Sequence, residues 1–580
     1  MNLSSFNIYP VGGSQMKKIS AIVLACCIAL PVFGTPVLAA GPVQAVLTES
    51  LISVDDLGYP FLRLRGYNIE GRTYFRLRDL ALIFDGSPSQ FDVAWNGKEN
   101  AVEIITGRPY SSPGSYDGYY PWNKVSTAKP ATSKIVINGE VRQVKAYVID
   151  GSTFLQLREL GQHIPFEVIY DGERDEIRLY SRLPDNAYRV HVTPAVIFNQ
   201  LKWKFPRWKT PVTSYLVANG DQTLSVIEAG SSISIETYDL QFRLLARKTS
   251  EPELPLFGGF FSGEKYNYIA FGQENREQND NKEVIRIVRY DKQFNRIDSV
   301  SVKGGESFTV VPFHDGSGRM AEHGDTLVFH TARLRYKTPD GLNHQSQLTI
   351  VVDTSTMTVT NHLGRFQENH VSHSFDQYVL FDGNRHVLLD HGDAYPRSIV
   401  LSRQSGNSYN TVSMFDIPGK IGANMTGVSV GGFEMSSTSY IVAMNTVDHS
   451  LVQEYTDTEM VGLPMDQRDI ILSVVPRNNL SPQAVTQRTI AKYAGTDNIA
   501  SIPHLVKVSD NRFLVMWQEY DSYGRSSLKY VTVDQDGVPI GSIRSLDHFW
   551  LSECKPIVAD GKVIWYANFL QSRIFYTIPL

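Results

Sequence analysis

Cysteine is scarce in this sequence of 580 residues, which holds three. Cys26 and Cys27 lie in an apolar N-terminal stretch, so Cys554 is the one thiol of the remaining chain. This excludes an intrachain disulfide, a cysteine-based zinc site and a redox-active thiol pair in that part. Residues 552–556 (SECKP) carry no signature of a nucleophilic cysteine. We therefore expect Cys554 to be buried and structural.

Clusters of basic residues are missing as well. The net charge is −5, the pI is about 6.3, and no block dense in Lys and Arg follows residue 20. Proteins that bind nucleic acid need such a block, because contacts to phosphates supply most of their affinity. The sequence therefore gives no support for a nucleic-acid partner.

The N-terminus has no apolar stretch long enough to span a membrane. Residues 19–31 form a short apolar core that Pro and Gly interrupt soon afterwards. With Lys17 and Lys18 before it and the small residues of 37–40 (VLAA) behind it, this core predicts a signal peptide over residues 1–40. Residues 1–15 are uncharged and without pattern, which indicates an over-extended start and true initiation at Met16.

An alternative concerns how this signal is processed. Residues 24–26 (LAC) loosely resemble a lipobox, which would place a lipid anchor on Cys26. In both cases the chain is predicted to leave the cytoplasm, as a secreted, cell-surface or cell-wall protein of Gram-positive type.

Aromatic residues, in contrast, are plentiful. They make up 11% of the chain, with 29 Tyr and 28 Phe, and such side chains pack well on a pleated sheet. Hydrophobic content of 42% and charged content of 20% are ordinary for a globular protein. Because 580 residues exceed the size of a single core, we predict a multidomain protein rich in β-structure.

One pattern occurs twice. Residues 69–80 read IEGRTYFRLRDL, and residues 149–160 read IDGSTFLQLREL, with six identical positions. Each copy runs into a second shared pattern, at 91–105 and 166–179. The repeat predicts one small α+β module over about residues 45–185, built from two similar strand–turn–helix–hairpin halves.

The turns and helices of this module can be placed from the residues. Asn138-Gly139 predicts a two-residue hairpin turn, and Gly71 and Gly151 predict a turn in each half. Apolar pairs three residues apart predict short helices that open at Leu77 and Leu157. The neighbouring Arg78-Asp79 and Arg158-Glu159 are interpreted as residues that brace each helix against the sheet, because a duplicated fold repeats its structural residues.

These residues resemble a known family. Residues 74–81 (YFRLRDLA), 107–110 (GRPY), the hairpin 93–105, and 154–160 and 166–179 in the second half are similar to the copper amine oxidase N-terminal-like domain, or stalk domain, of exported Firmicute proteins. The resemblance implies an extracellular accessory domain concerned with surface display or wall contact. It does not extend to copper, because the module holds one histidine, His163, and no cysteine.

The remaining residues, about 190–580, alternate between short strand-like runs and turns, with almost no helical period. They predict an all-β propeller of about seven blades, with a pair of β-sandwiches as the alternative fold. The predicted blades are 210–251, 254–305, 308–367, 371–422, 426–495, 497–547 and 548–580. The last is too short for four strands, so we expect an N-terminal strand within residues 192–203 to complete it and close the ring. Six or eight blades remain open.

Histidine is concentrated in the middle of this region. Nine of the fourteen histidines lie between His314 and His391. If the strands that carry them approach the propeller axis, their side chains meet nearby carboxylates and arginines and form a binding site. The candidate binding residues are His330, Arg333, His373, Asp390, His391, Asp393, Tyr395 and Arg397. Residues 391–397 (HGDAYPR) are the preferred binding loop, because Tyr395 and Arg397 look exposed.

The sequence does not identify a reaction or a ligand for this site. It has no HExxH or similar spacing, so we assign no metal, no cofactor and no catalytic residue. The leading hypothesis is an exported protein whose propeller binds a cell-wall glycan or a surface protein, with the stalk-like module as an accessory domain. The alternative is a propeller enzyme, a hydrolase, lyase or sulfotransferase-type transferase, that uses the histidine-rich blades.

Overall fold

The computed structural model describes residues 41–48, 51–54, 64–111, 122–171, 176–192, 199–201, 205–522, 525–569 and 572–580. The predicted signal peptide, the start at Met16 and the lipid-anchor alternative at Cys26 lie outside these residues. The described chain is almost entirely β-structure, arranged in many sheets. None of its helices is long and apolar enough to cross a membrane.

The N-terminal part contains thirteen strands and two helices among its described residues. The strands are β1 (Val43–Leu47), β2 (Leu51–Val54), β3 (Gly66–Ile69), β4 (Arg72–Arg76), β5 (Phe91–Asn96), β6 (Ala101–Thr106), β7 (Val125–Pro130), β8 (Lys134–Ile137), β9 (Glu140–Arg142), β10 (Ala146–Ile149), β11 (Ser152–Gln156), β12 (Phe166–Asp171) and β13 (Glu176–Ser181). The helices are α1 (Leu77–Phe84) and α2 (Leu157–Leu160).

These elements form two interlocked halves. Strands β1, β3, β4, β11, β10 and β7 close a barrel in that order, in which β4 of the first half pairs with β11 of the second. The hairpin β5–β6 is extended by β8 from the second half, and the hairpin β12–β13 by β2 from the first. The predicted order of strand, turn, helix and hairpin is present in both copies, and each half donates one parallel strand to the other.

The turn residues explain the local geometry. Asn138 and Gly139 both have positive φ, at 51° and 83°, as a two-residue turn of type I′ requires. Glu70-Gly71 and Asp150-Gly151 adopt the same conformation. These turns set the registers of β8–β9, β3–β4 and β10–β11.

The acidic residues brace the two helices as predicted. Asp79 of α1 accepts a hydrogen bond from Nε of Arg76, at the end of β4, at 2.8 Å. Glu159 of α2 accepts from the backbone N–H of Lys145, just before β10, at 2.7 Å. The neighbouring Arg78 is exposed.

The described residues after 186 fall into seven successive groups of strands, called sheets 1 to 7 here. Sheet 1 has β15 (Ser214–Ala218), β16 (Thr223–Ala229), β17 (Ile233–Asp239) and β18 (Leu244–Ser250); sheet 2 has β19 (Leu256–Ser262), β20 (Asn267–Gly272), β21 (Glu283–Tyr290) and β22 (Arg296–Lys303). Sheet 3 follows the short helix α3 (Gly304–Ser307) and has β23 (Thr309–Pro312), β24 (Gly318–His323), β25 (Thr326–Lys337), β26 (Asn343–Asp353) and β27 (Thr358–Val359).

Sheets 4 to 7 complete the chain. Sheet 4 has β28 (Ser372–Asp382), β29 (Arg385–Tyr395), β30 (Arg397–Ser405) and β31 (Ser408–Asp416); sheet 5 has β32 (Val428–Met435), β33 (Ser439–Thr446), β36 (Asp469–Pro476) and β37 (Thr486–Ala491), with the small hairpin β34 (Glu454–Tyr455) and β35 (Met460–Val461) inserted. Sheet 6 has β38 (Ile499–Ala500), β39 (His504–Ser509), β40 (Arg512–Tyr520), β41 (Ser526–Asp534) and β42 (Pro539–Asp547); sheet 7 has β43 (Ile557–Ala559), β44 (Lys562–Phe569), β45 (Ser572–Pro579) and β14 (Ala187–His191). Two 3-10 turns lie at His449–Leu451 and Pro482–Ala484.

Neighbouring sheets touch through one strand near the start of each group, which is the first strand except in sheets 3 and 6, where it is β24 and β39. Contacts join β19 to β24, β24 to β28, β28 to β32, β32 to β39, β39 to β43, and β43 to β15. Sheets 1 and 2 are linked where the Tyr215 hydroxyl accepts from the Phe260 N–H at 3.2 Å. A single bridge between Ser346 and Ser372 also joins sheets 3 and 4 into one hydrogen-bonded surface. The series of contacts therefore returns to its starting sheet.

The strand that completes sheet 7, β14, lies far before the other three strands of this sheet in the sequence. β14 pairs antiparallel with β45 over five residues, from Ala187–Tyr576 to His191–Ser572. This strand was predicted within residues 192–203, which is wrong by several residues. Its position depends on the partner strand β45, which lies nearly 400 positions later and leaves no local signal at residues 187–191.

A buried ion cluster fastens sheet 7 to sheet 1. Arg573 of β45 donates to Glu228 at 2.8 Å and to Glu236, and its Nη1 donates to the Tyr238 hydroxyl at 2.8 Å. Arg573, Glu228 and Glu236 are each less than 5% exposed. Cys554 is fully buried in the adjacent apolar cluster, which confirms the prediction for the lone thiol.

Replacing Arg573 with Met tests the contribution of this cluster to the fold. The substitution leaves the buried Glu228 carboxylate without a cation and leaves Glu236 with Arg247 alone, so we expect it to lower the free energy of unfolding by about 3–5 kcal/mol. Arg276→Met is the control, because the Arg276 side chain is largely exposed and its pair with Glu274 lies on the surface. Denaturant titration measures both; equal, small effects would contradict this role for Arg573.

Candidate functional site

His330, the first predicted site residue, lies in a sealed network between sheets 3 and 4. Its Nε2 is 3.1 Å from Oδ2 of Asp390, and its Nδ1 is 3.0 Å from Oγ1 of Thr349. Ser374 donates to the other carboxylate oxygen of Asp390 at 2.7 Å. His330 and Asp390 are 0% exposed. The network therefore joins two sheets and presents no surface to a ligand.

Asp393, near the end of β29, is a second buried residue that several polar groups contact. Arg397 donates to one of its carboxylate oxygens, and the backbone N–H of Asn424 donates to the other at 2.9 Å. Nδ1 of His373 lies 3.7 Å from that second oxygen. Arg397 also donates to two backbone carbonyls in the segment 418–425. These contacts hold the connection between sheets 4 and 5 in place.

The three predicted histidines do not share a ligand position. His391 is buried, its Nε2 lies 3.0 Å from Thr426 Oγ1, and burial lowers its pKa to about 4. The Phe375 ring contacts both His391 and His373, whereas His330 belongs to the separate Asp390 network. Among the described residues, no group of three or more His, Cys, Asp or Glu side chains is arranged to hold a metal ion.

In the predicted binding loop, one of the two side chains that were expected to be exposed is exposed. Tyr395, at the cis Tyr395–Pro396 turn between β29 and β30, is 67% exposed, which confirms the prediction for this side chain. Arg397 was also expected to be exposed, which is wrong: its side chain is 5% exposed, because Asp393 and backbone carbonyls surround the guanidinium. Arg333 is buried as well and donates to the carbonyls of Ser307 and Gly364.

A groove of 360 Å³ adjoins this loop. It lies between strands β30 and β31 of sheet 4 and the segment that leads from sheet 3 into sheet 4. The lining residues are Glu368, Asn369, His370, Val371, Pro396, Arg397, Ser398, Val400, Ser402, Thr411, Val412, Ser413 and Asp416. We call this the sheet 4 groove. Its size falls in the range of small-molecule and oligomer sites.

Strand alternation explains why the groove is rich in hydroxyl groups. Ile399 and Leu401 of β30 point into the apolar core shared with sheet 5. Successive side chains of a strand face opposite sides, so Ser398, Val400 and Ser402 point into the groove. The same alternation in β31 turns Thr411 and Ser413 toward it. One face of the hairpin thus stabilises the core, and the other carries the hydroxyl groups that line the groove.

Two polar atoms at this groove have no hydrogen-bond partner within the described structure. They are Oγ of Ser398, which is 2% exposed, and Nδ1 of His370. A buried polar atom without a partner costs free energy, so such atoms are rare in native proteins. A bound ligand that supplied an acceptor or donor would remove this cost.

A larger groove of 610 Å³ lies on a different part of the surface, where turns of sheets 4, 5 and 6 meet. At its centre the Asp382 carboxylate accepts hydrogen bonds from Arg477 and from the Tyr440 hydroxyl. Burial opposes ionisation of Asp382, but Arg477 and Tyr440 outweigh it and hold its pKa below the ordinary value. The Asp382 carboxylate pairs with Arg477 and Arg385, so its charge is balanced within the groove, and Nε of Arg477 is the atom of this pair that lacks a hydrogen-bond partner among the described residues. We consider this groove structural.

Comparison with known proteins yields no family. No family model and no curated protein matches the chain. Several solved structures match, at low TM-scores: the N-terminal domain of Nup159 (10% identity, 68% of this chain and 97% of that chain, TM-score 0.33), a variant of Synechocystis apocarotenoid oxygenase (11%, 74% and 87%, 0.29) and a mutant of AofleA from Arthrobotrys oligospora (9%, 63% and 92%, 0.31). At these TM-scores the similarity assigns neither a topology nor a ligand to this chain.

Most residues of the sheet 4 groove were not predicted from the sequence. Glu368, Asn369 and His370 precede β28, and Thr411 and Asp416 lie in β31, about 40 residues further on. The concentration of histidines directed the prediction to residues 314–397, which contain part of the groove's lining. The hydroxyl residues carried no signal of their own, because serine and threonine are common on exposed strands.

The buried histidine predicts a dependence of stability on pH. A histidine in an unfolded chain titrates near pH 6.5, whereas burial lowers the pKa of His391 to about 4. Between these values the unfolded state binds a proton that the folded state does not, so stability falls as the pH drops from 6.5 to 4. His391→Gln should reduce this slope, by up to one proton.

Denaturant titrations at several pH values measure this slope. The matched control is His362→Gln, because His362 is exposed, and it should leave the slope unchanged. An unchanged slope in His391→Gln would show that His391 is solvated and titrates normally in the folded protein.

Proposed function

We propose that residues 187–580 form a seven-bladed β-propeller in which sheets 1 to 7 are the blades. The supporting observations are the four-stranded pattern of most sheets, the contacts between strands near the start of successive sheets, and the completion of sheet 7 by β14. Closure of this kind leaves no open sheet edge at the ends of the ring.

Charges near the first strands support the same arrangement. Lys209, in the segment before sheet 1, has its pKa lowered chiefly by desolvation, and it interacts with charged residues of four other places in the chain. These are Asp376, Arg319, Glu553 and Arg468. Arg319 of sheet 3 pairs with Asp376 of sheet 4 at 2.7 Å. Convergence of distant residues on one lysine is expected at the axis of a propeller.

We propose further that the protein is exported and acts at the cell surface or outside the cell as a binding protein. The predicted signal peptide and the stalk-like motifs support export. The N-terminal halves, which exchange strands β2 and β8, support a compact accessory domain that holds the propeller away from an attachment point.

N-terminal sequencing of the protein from its native host tests the export proposal. Material from the cell surface or medium should begin after the small residues of 37–40, and labelling with a fatty acid would instead reveal processing at Cys26. An unprocessed chain that stays in the cytosolic fraction would contradict the proposal.

The sheet 4 groove is the proposed ligand site, and the observation that carries this is its hydroxyl-lined floor with unpartnered polar atoms next to exposed Tyr395. A glycan fits these features better than a protein partner. Protein interfaces bury about 800 Å² on each side, whereas this groove is narrow and polar. Aromatic rims and hydroxyl floors suit a chain of sugars, which has apolar faces and hydrogen-bonding edges.

An enzymatic role gains no support from the placement of the histidine-rich strands. His330 and Asp390 are sealed from solvent, and Thr349 and Ser374 already occupy their polar atoms. His391 is buried against Thr426. A binding function therefore explains the accessible residues with fewer assumptions than a hydrolase, lyase or sulfotransferase.

Filling the groove tests the binding proposal. Thr411 is an exposed residue of the outer strand β31 that lines the groove, so Thr411→Trp should block ligand access and change stability by less than about 0.5 kcal/mol. We expect at least tenfold weaker binding of the full chain to purified wall polysaccharides. Thr489→Trp, at an exposed position of the outer strand β37 in sheet 5, is the matched control.

The binding assay has two contrary outcomes. Absence of binding to every wall polymer, with and without chelator, would refute the proposal. Binding to intact cells that disappears after the cells are treated with protease would identify a surface protein as the partner instead of a glycan.

A further inference from the structure

A cluster of cationic side chains lies beside the sheet 4 groove. Arg333 and Arg335 are alternate residues of β25, so their side chains share one face of sheet 3. They are 0% and 3% exposed. Arg365 and His370 belong to the segment that crosses from sheet 3 to sheet 4 and covers this face. His370 also lines the groove, so the cluster and the groove are continuous.

The two buried arginines have no carboxylate partner within ion-pair distance among the described residues. Arg333 donates from its Nη atoms to the backbone carbonyls of Ser307, Gly364 and Arg365. Arg335 has one side-chain hydrogen bond to a described residue, at 3.5 Å, to the carbonyl of Arg365. By contrast, the buried Arg178 and Arg573 each meet a carboxylate.

Three nitrogen atoms of the cluster are buried and unpartnered. They are Nε of Arg333, Nε of Arg335 and Nδ1 of His370. Burying a charge without a counter-charge is unfavourable, and each donor without an acceptor adds to this cost. The cluster thus has both an excess of positive charge and free N–H donors.

Aromatic rings cover the cluster on its outer side. The Phe366 ring lies 4.6 Å from the guanidinium of Arg335 and 4.9 Å from the His370 ring, and it is 56% exposed. Phe308 lies 5.0 Å from the guanidinium of Arg365. An exposed ring such as Phe366 changes rotamer quickly and without loss of core packing, so it can give access to Arg335.

The electrostatic consequences agree with this geometry. Burial and the neighbouring Arg335 lower the pKa of Arg333 to about 9. Burial, together with Arg335 and Arg333, lowers the pKa of His370 to about 4. An anion among these groups would oppose both effects.

We propose that Arg333, Arg335, Arg365 and His370 form an oxyanion subsite, which receives a phosphate or carboxylate group of the ligand. Guanidinium groups recognise both anions through paired N–H donors, and this cluster offers donors from two buried arginines. The link to the groove rests on the function proposed above and specifies its ligand as an anionic wall polymer. Binding of the isolated anion does not depend on that function.

The test uses the full chain and inorganic phosphate, with Arg335→Met as the main variant. Arg335 is the best choice because it makes a single long polar contact, so its removal leaves the surrounding hydrogen bonds intact. We expect phosphate to raise the melting temperature of the wild type in a saturable way. Arg335→Met should bind phosphate at least tenfold more weakly in calorimetry.

Melting without phosphate gives a second readout. Removal of an unpaired buried charge should leave the melting temperature of Arg335→Met equal to or above that of the wild type. Arg335→Lys, which keeps the charge, should retain part of the affinity for phosphate. Arg468→Met is the matched control, because Arg468 is 4% exposed and also donates to a backbone carbonyl, but lies near Ser429 of sheet 5. It should bind phosphate like the wild type.

Binding of three polymers shows whether the subsite prefers a phosphate or a carboxylate. Poly(glycerol phosphate), polygalacturonate and neutral dextran present a phosphodiester, a carboxylate and no charge. We expect one of the two anionic polymers to bind the wild type at least tenfold more tightly than dextran, and Arg335→Met to lose this preference.

Several outcomes would overturn the inference. They are a wild type whose melting temperature does not respond to phosphate, an Arg335→Met variant with unchanged affinity, and a strongly destabilised Arg335→Met variant that still binds phosphate. The oxyanion subsite and the wall-polymer function can be tested separately. Thr411→Trp should block the binding of polymers but not the binding of inorganic phosphate. If phosphate binds through Arg335 and no polymer binds, the subsite stands and the wall-polymer function does not.

Discussion

The fold depends on the pairing of β14 with β45, which joins two ends of a chain segment of nearly 400 residues. Without it, β45 would expose an unpaired edge and sheet 7 would keep three strands, of which β43 has three residues. Arg573 adds a buried ionic link from β45 to sheet 1, through Glu228 and Glu236. The β14–β45 pairing and the ion cluster both involve β45. Together they connect sheet 7 to the start of the sheet series, so the order of contacts between the sheets is fixed. Entry of the chain into sheet 7 also sets where the N-terminal halves attach.

The same constraint positions the sheet 4 groove. Strand β28 of sheet 4 contacts β24 of sheet 3 and β32 of sheet 5, and the groove lies beside the outer strands β30 and β31 of the same sheet. This groove keeps unpartnered polar atoms and adjoins arginines that meet no carboxylate among the described residues, whereas the Asp382 carboxylate of the larger groove pairs with Arg477. The hydroxyl floor adjoins exposed Tyr395, and His370 connects it to the buried arginines of β25. A polymer with sugar rings and anionic groups matches all three features.

Short sequence patterns predicted the features that depend on a few neighbouring residues. Asn138-Gly139 and the two Gly turns formed as expected, because positive φ favours those residues, and the lone Cys554 is buried. The expected exposure of Arg397 was wrong, since it depends on which neighbours fold against the guanidinium. The cluster of Arg333, Arg335 and His370 could not be predicted, because these residues become neighbours through the crossing from sheet 3 to sheet 4. The concentration of histidines directed the prediction to sheets 3 and 4, but it could not show that His330 and His391 are buried.

Hydrogen exchange of the full chain, with and without a bound wall polymer, tests the central claim most directly. The claim is that one continuous surface on sheets 3 and 4 receives the ligand. The account predicts slower exchange in residues 364–371 and 395–416 on binding, with little change in residues 437–439 and 476–478 of the larger groove. Protection confined to the larger groove or to the N-terminal halves would contradict it.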